Sequence, residues 1–558
     1  MAQSRPWLLR AAVIAGVLCL AAVVCVCVLG LPGAGCPGGS FRRGAVAADS
    51  RICSDIGRDM LQRGGSAVDG AIAALLCTSV VNPQSMGLGG GSIVTIRERS
   101  GKVKVFNFRE TVPHSFKENL LEDCPRTFGM SSGSQWVGVP GELRGYDLLH
   151  KHYGRLPWSQ LFEPTVRLAR LGIPLPQYLS QFLRSPLVQH RVETSSLCDI
   201  LCTRNRTVLG PGDVLKFPKL AETMETIGKF GADVFYNGKI GQDLVEDVQA
   251  AGGSLTMKDL GDFMVRVGDA VSVPLGDSVL HIPPPPAGGA LLAFILLMMK
   301  ESALSPQSVG ADQKTQMYHR YVEALKFANG QKKTICDPAF NPHKSAAPLT
   351  DSSFVAHVSS LVSNQTRDSS FYSSVPPPAD SFGTTHVSVL DQEGLAVSAT
   401  STINQLFGGA VFSPKTGIIL NNELADFCGR AESLKPGEQP PSSMTPVILE
   451  SKSGRLLVIG GSGGSMITSA VALSVMNRLW LKMSLRDAIA APIVFVDSKH
   501  NVNFEPGFDE SVVAGLRERG HSVGNWKYFF NVVNGVEQEH GCIAAFSDQR
   551  KSGEASGF

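Results

Sequence analysis

At Gly383 the chain changes character. Residues 341–382 are rich in Ser, Pro and Asp, hold a short helix candidate near 354–362, and read as an exposed, mobile segment. They run straight into two alternating strands, 386–390 and 395–400, around Asp391-Gln-Glu-Gly394. The strand thus opens on small hydroxyl residues, Gly383-Thr384-Thr385-His386. If the Gly383–Thr384 bond were cut, Thr384 would carry both a hydroxyl nucleophile and a free α-amine. That amine, with a pKa near 8 when free, can take the hydroxyl proton without a histidine. Pairing Leu390 with Leu395 sets Thr384 opposite Ser401 and beside Thr402. The plain alternative is a Thr-rich edge hairpin with no chemistry.

The rest of the chain alternates strands with helices. Residues 66–81 read as an apolar helix stopped by Asn82-Pro83. A glycine loop (86–91) and a hairpin (92–96, 102–108) follow, then helices at 142–151 and 220–230 and a buried helix at 287–299 behind a four-proline run. At 455–482 a strand, a glycine turn and a helix leave unpaired N–H groups at a helix start, the material of an oxyanion site. This order favours an α+β class with a layered αββα arrangement. Charged residues are 18% and the net charge is +2, which excludes a disordered chain and gives no case for a nucleic-acid partner. There is no HExxH and no Walker loop, and neither glycine loop, 87–91 or 460–464, matches GxGxxG.

Residues 11–31 are uncharged and led by Arg5 and Arg10. That length suits a membrane-spanning helix, with residues 1–10 as a cytoplasmic tail and 32–44 as a stem. A cleaved signal peptide is the alternative. The expectation is a single-pass type II protein of the cell membrane with its catalytic part outside. The sequons at Asn205 and Asn364, and nine cysteines beyond the apolar span, suit an oxidising compartment.

Several stretches carry a resemblance: Val81-Asn-Pro-Gln-Ser-Met-Gly-Leu-Gly-Gly-Gly91, Gly138-Val-Pro-Gly-Glu-Leu-Arg-Gly145, Thr400-Ser-Thr-Ile-Asn404, Asn421-Asn-Glu423, Pro441-Ser-Ser-Met444 and Asp548-Gln-Arg-Lys-Ser-Gly-Glu554. Together they resemble the γ-glutamyltransferases (γ-glutamyl transpeptidases, glutathione hydrolases) from about residue 45 to the end. Phe108-Arg-Glu-Thr-Val-Pro113, residues 283–289 and Asn422-Glu-Leu424 look most like the branch that hydrolyses leukotriene C4. The resemblance implies an N-terminal-nucleophile hydrolase with a four-layer αββα sandwich. It also implies one precursor cut at Gly383–Thr384 into a large subunit, 45–383, and a small one, 384–558, which stay together as a heterodimer.

It further implies roles. Thr384 matches the nucleophile, Thr402 the residue bonded to it, and Gly463 with Gly464 the oxyanion hole. Arg109, Ser442 and Ser443 match groups that hold the substrate α-carboxylate. Asn404, Glu423 and Asp426 match those that hold its α-amine. A guanidinium fork suits a carboxylate, and acids with an amide suit an ammonium. Cys53–Cys77 and Cys198–Cys202 match the family disulfides. No metal or organic cofactor is called for. The expected activity is γ-glutamyl hydrolysis and transfer on glutathione and its S-conjugates, including leukotriene C4 to leukotriene D4, with water, amino acids or dipeptides as acceptors. The alternatives are a related amidase of other specificity and a non-catalytic cell-surface relative. Gln405-Leu406 and the loop 428–440, which looks shortened, depart from the family pattern. With Phe407 they are the candidates for lining the exit, where Leu406-Phe407 either covers an apolar tail or packs in the core.

Overall fold

The apolar helix of the N-terminal half forms because its register is locked at the start. Ser66 accepts from the Asp69 N–H and Asp69 accepts from the Ser66 N–H, a reciprocal cap, and every side chain of Ala67–Val81 is buried. Its counterpart, Gly289–Lys300, buries all but its last residue. These helices lie in opposite outer layers. The computed structural model describes residues 36–125, 129–372, 383–526 and 532–558. They divide into a short N-terminal unit ending at Ser40 and a body, Phe41–Phe558.

Two antiparallel sheets form the middle of the body. The seven-stranded sheet runs, in spatial order, Ser556–Gly557, Ala45–Ala47, Thr385–Leu390, Ala396–Thr402, Gly91–Arg97, Val103–Asn107 and Arg266–Asp269. The six-stranded sheet runs Cys542–Ser547, Val532–Glu539, Leu456–Ser462, Val447–Ser451, Ser278–Ile282 and Val271–Leu275. A thin apolar layer joins them: Ala45, Ala47, Leu390 and Ala396 meet Ile448, Val458 and Val536. Ser398 Oγ also donates across to the Ile459 carbonyl at 3.0 Å. One large core lies between the first sheet and the helices around Ala67–Val81. The other lies between the second sheet and Gly289–Lys300, Ala311–Gln331 and Ile467–Leu479. The result is a four-layer αββα sandwich, and residues on both sides of Gly383 supply strands to both sheets.

Four expectations change. First, the hairpin after Gly383 pairs Leu390 with Ala396 and Thr385 with Ser401, one residue from the register read in the sequence. The reason is the turn. Asp391 accepts from the Glu393 and Leu395 N–H groups, and Leu395 closes the loop instead of pairing with Leu390. Second, residues 341–372 keep most of their side chains exposed but are anchored to the body, because Leu349, Val355, Val358 and Tyr372 are buried. Residues 373–382 lie outside the described residues. Third, the body starts at Phe41, whose N–H donates to Ile543, so residues 41–44 are not a free stem.

Fourth, the single-pass membrane placement is corrected. Among the described residues no helix is long and apolar enough to cross a membrane. Gly289–Lys300 is apolar, but its 12 residues extend about 18 Å against a hydrocarbon core of about 30 Å. Ala311–Gln331 has the length but carries Arg320, Glu323 and Lys326. Residues 11–31, on which the expectation rested, lie outside the described residues.

Candidate active site

Thr384 sits at the mouth of its strand with φ +81°, a region where a β-branched residue is a true outlier. Such strain persists where the surroundings over-determine it. Here the Thr384 N–H donates to the Ser85 carbonyl at 3.2 Å, and the Thr384 carbonyl accepts from Lys551 Nζ at 2.8 Å. Its Oγ1 shares a hydrogen bond of 3.2 Å with Thr402 Oγ1, which also accepts from the Asn404 N–H at 2.8 Å. On the other side of the same peptide bond, the Gly383 carbonyl accepts from the Gly463 N–H at 3.1 Å. Only glycine fits at 383, since a Cβ there would lie 1.9 Å from the Asn404 carbonyl oxygen. Gly463 (φ +117°) and Gly464 (φ +59°) make the left-handed turn that carries Leu456–Ser462 into its helix and aims that amide. One carbonyl thus meets a backbone donor and a neighbouring hydroxyl, the arrangement acyl transfer needs.

His386 does not serve Thr384. Its Nδ1 lies 2.8 Å from Thr400 Oγ1 and its Nε2 2.9 Å from Ser388 Oγ. Burial pushes its pKa down to about 3, so the ring is neutral.

The residues expected to hold a substrate head group come together as an ion cluster. Arg109 is 1% exposed. Its Nη1 pairs with Glu423 at 2.5 Å and its Nη2 with Asp426 at 2.6 Å. Its Nε and Nη2 also donate to the Pro440 and Pro441 carbonyls. Asn404 Nδ2 donates to the Asn422 carbonyl at 3.0 Å. Burial pushes Glu423 up to about 7 and raises Asp426 as well, with the Arg109 charge pulling both back. Asp426, Ser442 and Ser443 line an open cleft of about 120 Å³ with Gln405, Lys332 and Ser465. Ser442 Oγ accepts from the Met444 N–H at 3.1 Å. In this state every Arg109 arm is engaged, so a carboxylate ligand must displace Asp426 to reach the guanidinium.

Leu406 and Phe407 do not line the cleft. Both are buried in the core beneath the seven-stranded sheet, the second of the two readings their sequence allows, while their neighbour Gln405 faces the cleft. Cys53–Cys77 and Cys198–Cys202 are each disulfide-bonded. Asn205 and Asn364 are both exposed.

Three parts of the site were missed. Lys551 bridges the Thr384 carbonyl, Ser462 Oγ (2.7 Å) and Asp49 (3.1 Å), and Asp49 also accepts from Thr385 Oγ1. It lies inside the Asp548-to-Glu554 motif, where one lysine among small and charged residues gives no sign of being buried. Glu110 lies beside Arg109 and is also buried, because the strand ends at Asn107 and its alternation stops there. Burial, then the Glu423 charge, hold its carboxyl well above the usual range. The third is a disulfide between Cys124 and Cys428.

Comparison with known proteins decides the family. The sequence pattern described as "Gamma-glutamyltranspeptidase" matches residues 53–558. The chain belongs to the γ-glutamyltranspeptidase family. It is 48% identical over 554 residues to the glutathione hydrolase 5 proenzyme of Rattus norvegicus, covering 97% of each chain. It is 46% identical to the Homo sapiens protein of that name, covering 96% of each. In fold it resembles the cephalosporin acylase of Bacillus halodurans, with a TM-score of 0.83, 22% identity, and coverage of 95% of this chain and 98% of that one. The protein is an enzyme of γ-glutamyl hydrolysis and transfer.

Proposed function

We propose that the protein is a glutathione hydrolase made as a precursor, which cuts itself at Gly383–Thr384 and then works through a Thr384 acyl-enzyme. In processing, Thr384 Oγ1 attacks the Gly383 carbonyl carbon. The O–C bond forms as the C–N bond breaks, and the hydroxyl proton passes to the leaving nitrogen. Water hydrolyses the ester, giving 1–383 with a new carboxylate and 384–558 with a free α-amine. That amine then takes the Oγ1 proton when Thr384 attacks the γ-glutamyl carbonyl, and returns it to the departing amine of the Cys-Gly moiety. The Gly463 N–H, released from Gly383, and the Gly464 N–H stabilise the oxyanion. Water, an amino acid or a dipeptide then accepts the γ-glutamyl group.

Arg109, with Ser442 and Ser443, takes the substrate α-carboxylate. Asn404, Glu423 and Asp426 take its α-ammonium. Substrate binding is thus an exchange of ion pairs: the ligand's own two charges replace the Arg109–Asp426 contact. The proposal extends to glutathione S-conjugates, including leukotriene C4. Support for the wider range is a larger cavity, about 630 Å³, that shares Asp426 and Ile335 with the cleft and is lined further by Phe427 and Cys336.

The observation that carries this reading is the Gly383 carbonyl held at 3.1 Å by Gly463 N–H beside the Thr384 hydroxyl. Its test is to quench the enzyme during turnover of a γ-glutamyl anilide and weigh the small fragment. A γ-glutamyl adduct mapping to Thr384 is expected. An adduct on another residue, or steady turnover with no covalent intermediate under conditions where deacylation is slowed, would refute it.

A further inference from the structure

The Cys124–Cys428 bridge spans 304 positions and crosses the proposed processing bond. Cys124 lies in the 1–383 part and Cys428 in the 384–558 part. Each caps a short 3₁₀ turn, Leu120–Asp123 on one side and Glu423–Phe427 on the other. The second turn carries both Glu423 and Asp426. The cleft lies at this junction, with Pro125 and Gly129 from one wall and Asp426 and Cys428 from the other. Beneath the bridge Leu120, Val112 and Trp136 pack against Leu424, Ala425 and Phe427.

We propose that the Cys124–Cys428 disulfide links the two chains of the processed enzyme covalently and fixes the turn that presents Asp426 to the substrate ammonium. The first half rests on the processing reading given above. Processing breaks the Gly383–Thr384 C–N bond and leaves the S–S bond intact, so the fragments cannot part without a reductant.

The second half follows from the ion cluster. Before substrate binds, Asp426 is tethered by Arg109 Nη2 at 2.6 Å. A substrate carboxylate that takes this arm removes the tether at the moment Asp426 is needed for the ammonium. Glu423–Phe427 is too short to hold itself by its own backbone bonds. The bridge two residues from Asp426 then holds the acid in place. Cys124 and Cys428 are therefore positioning residues that act through Asp426.

Cys36 and Cys542 are also disulfide-bonded, so the test uses a background in which both are serine, besides the natural chain. In that background, denatured without reductant, the protein should run as one species of full mass and separate into 1–383 and 384–558 when reduced. Adding Cys124→Ser should release the fragments without reductant. Digestion of the natural, unreduced enzyme should yield a Cys124 peptide joined to a Cys428 peptide, a readout independent of how the variants fold.

In kinetics, Cys124→Ser and Cys428→Ser should each raise KM for γ-glutamyl substrates with a free α-amine by about tenfold and leave kcat within about twofold, the signature of a misplaced binding group. N-acylated substrates should shift far less. A chain that stays single when reduced would fail the processing reading alone, because the joined peptides would still be found. Processed fragments that part without reductant while Cys124 and Cys428 are intact, or unchanged KM in both serine variants, would overturn the inference itself.

Discussion

Thr384 Oγ1 and Thr402 Oγ1 lie 3.2 Å apart across one antiparallel hairpin, at the position that follows the Thr385–Ser401 pair. The hairpin's one-residue shift puts Thr402 directly opposite Thr384 and turns Ser401 away to Glu142, to whose carboxylate it donates at 2.9 Å. Thr402→Val keeps the shape and removes the hydroxyl. The expected loss is about 1 kcal/mol, roughly fivefold in kcat, with slower processing. Thr402→Ser should recover most of it. Steady-state rates and the time course of fragment appearance check both.

Lys551 places a buried charge on the Thr384 carbonyl. Once Thr384 is an N-terminus, a nearby cation disfavours the protonated amine and lowers its pKa. Lys551→Met should therefore move the acidic limb of the kcat profile to higher pH. It should also reduce kcat by about ten- to a hundredfold, the span of a lost hydrogen bond to a charged group. A reduced rate with an unmoved limb would assign Lys551 to folding alone.

Arg109→Lys keeps a charge but loses the fork that reaches two acids and two carbonyls at once. A loss of roughly 1.5–3 kcal/mol in kcat/KM is expected. Asp426→Asn should weaken substrates with a free α-amine far more than N-acetylated ones. Equal losses for the two substrates would place Asp426 elsewhere.

Glu142 gives a pH signature in stability. Its carboxyl is fully buried, and desolvation pushes it up to about 7 despite hydroxyl donors on Tyr146, Ser92 and Ser401. Folded, it keeps a proton that the unfolded chain gives up near 4.5. Its effect is therefore absent below about pH 4.5 and grows into a loss of stability as pH rises through 7, about 3 kcal/mol in all at 1.36 kcal/mol per pH unit. Glu142→Gln should flatten that slope between pH 5 and 8 in thermal melts. An unchanged slope would mean that the three hydroxyls hold the anion at no cost.

What could be read in the sequence was what local chemistry dictates. The apolar helix of 66–81, the alternation of 386–390 and the glycine turn at 460–464 are written in neighbouring residues. The hairpin register was misread because Asp391's side chain captures two amides, a contact that strand alternation does not encode. Leu406 and Phe407 stay open in the sequence between covering a tail and packing in the core, because apolar residues beside a site look alike in either place. Lys551, Asp49 and Glu110 escaped notice because their burial is set by partners far along the chain. Asp49 and Lys551, for instance, meet across 502 positions. The Cys124–Cys428 pairing is of the same kind.

The central claim is that this fold cuts its own chain at Thr384 and then uses the exposed residue. The most direct measurement is the intact mass of the purified protein after denaturation and reduction, natural chain beside Thr384→Ala. The account predicts two fragments from the natural chain, the smaller beginning at Thr384, and one uncut, inactive chain from the variant. An active natural enzyme that weighs as a single chain, or a Thr384→Ala protein still cut at this bond, would contradict it.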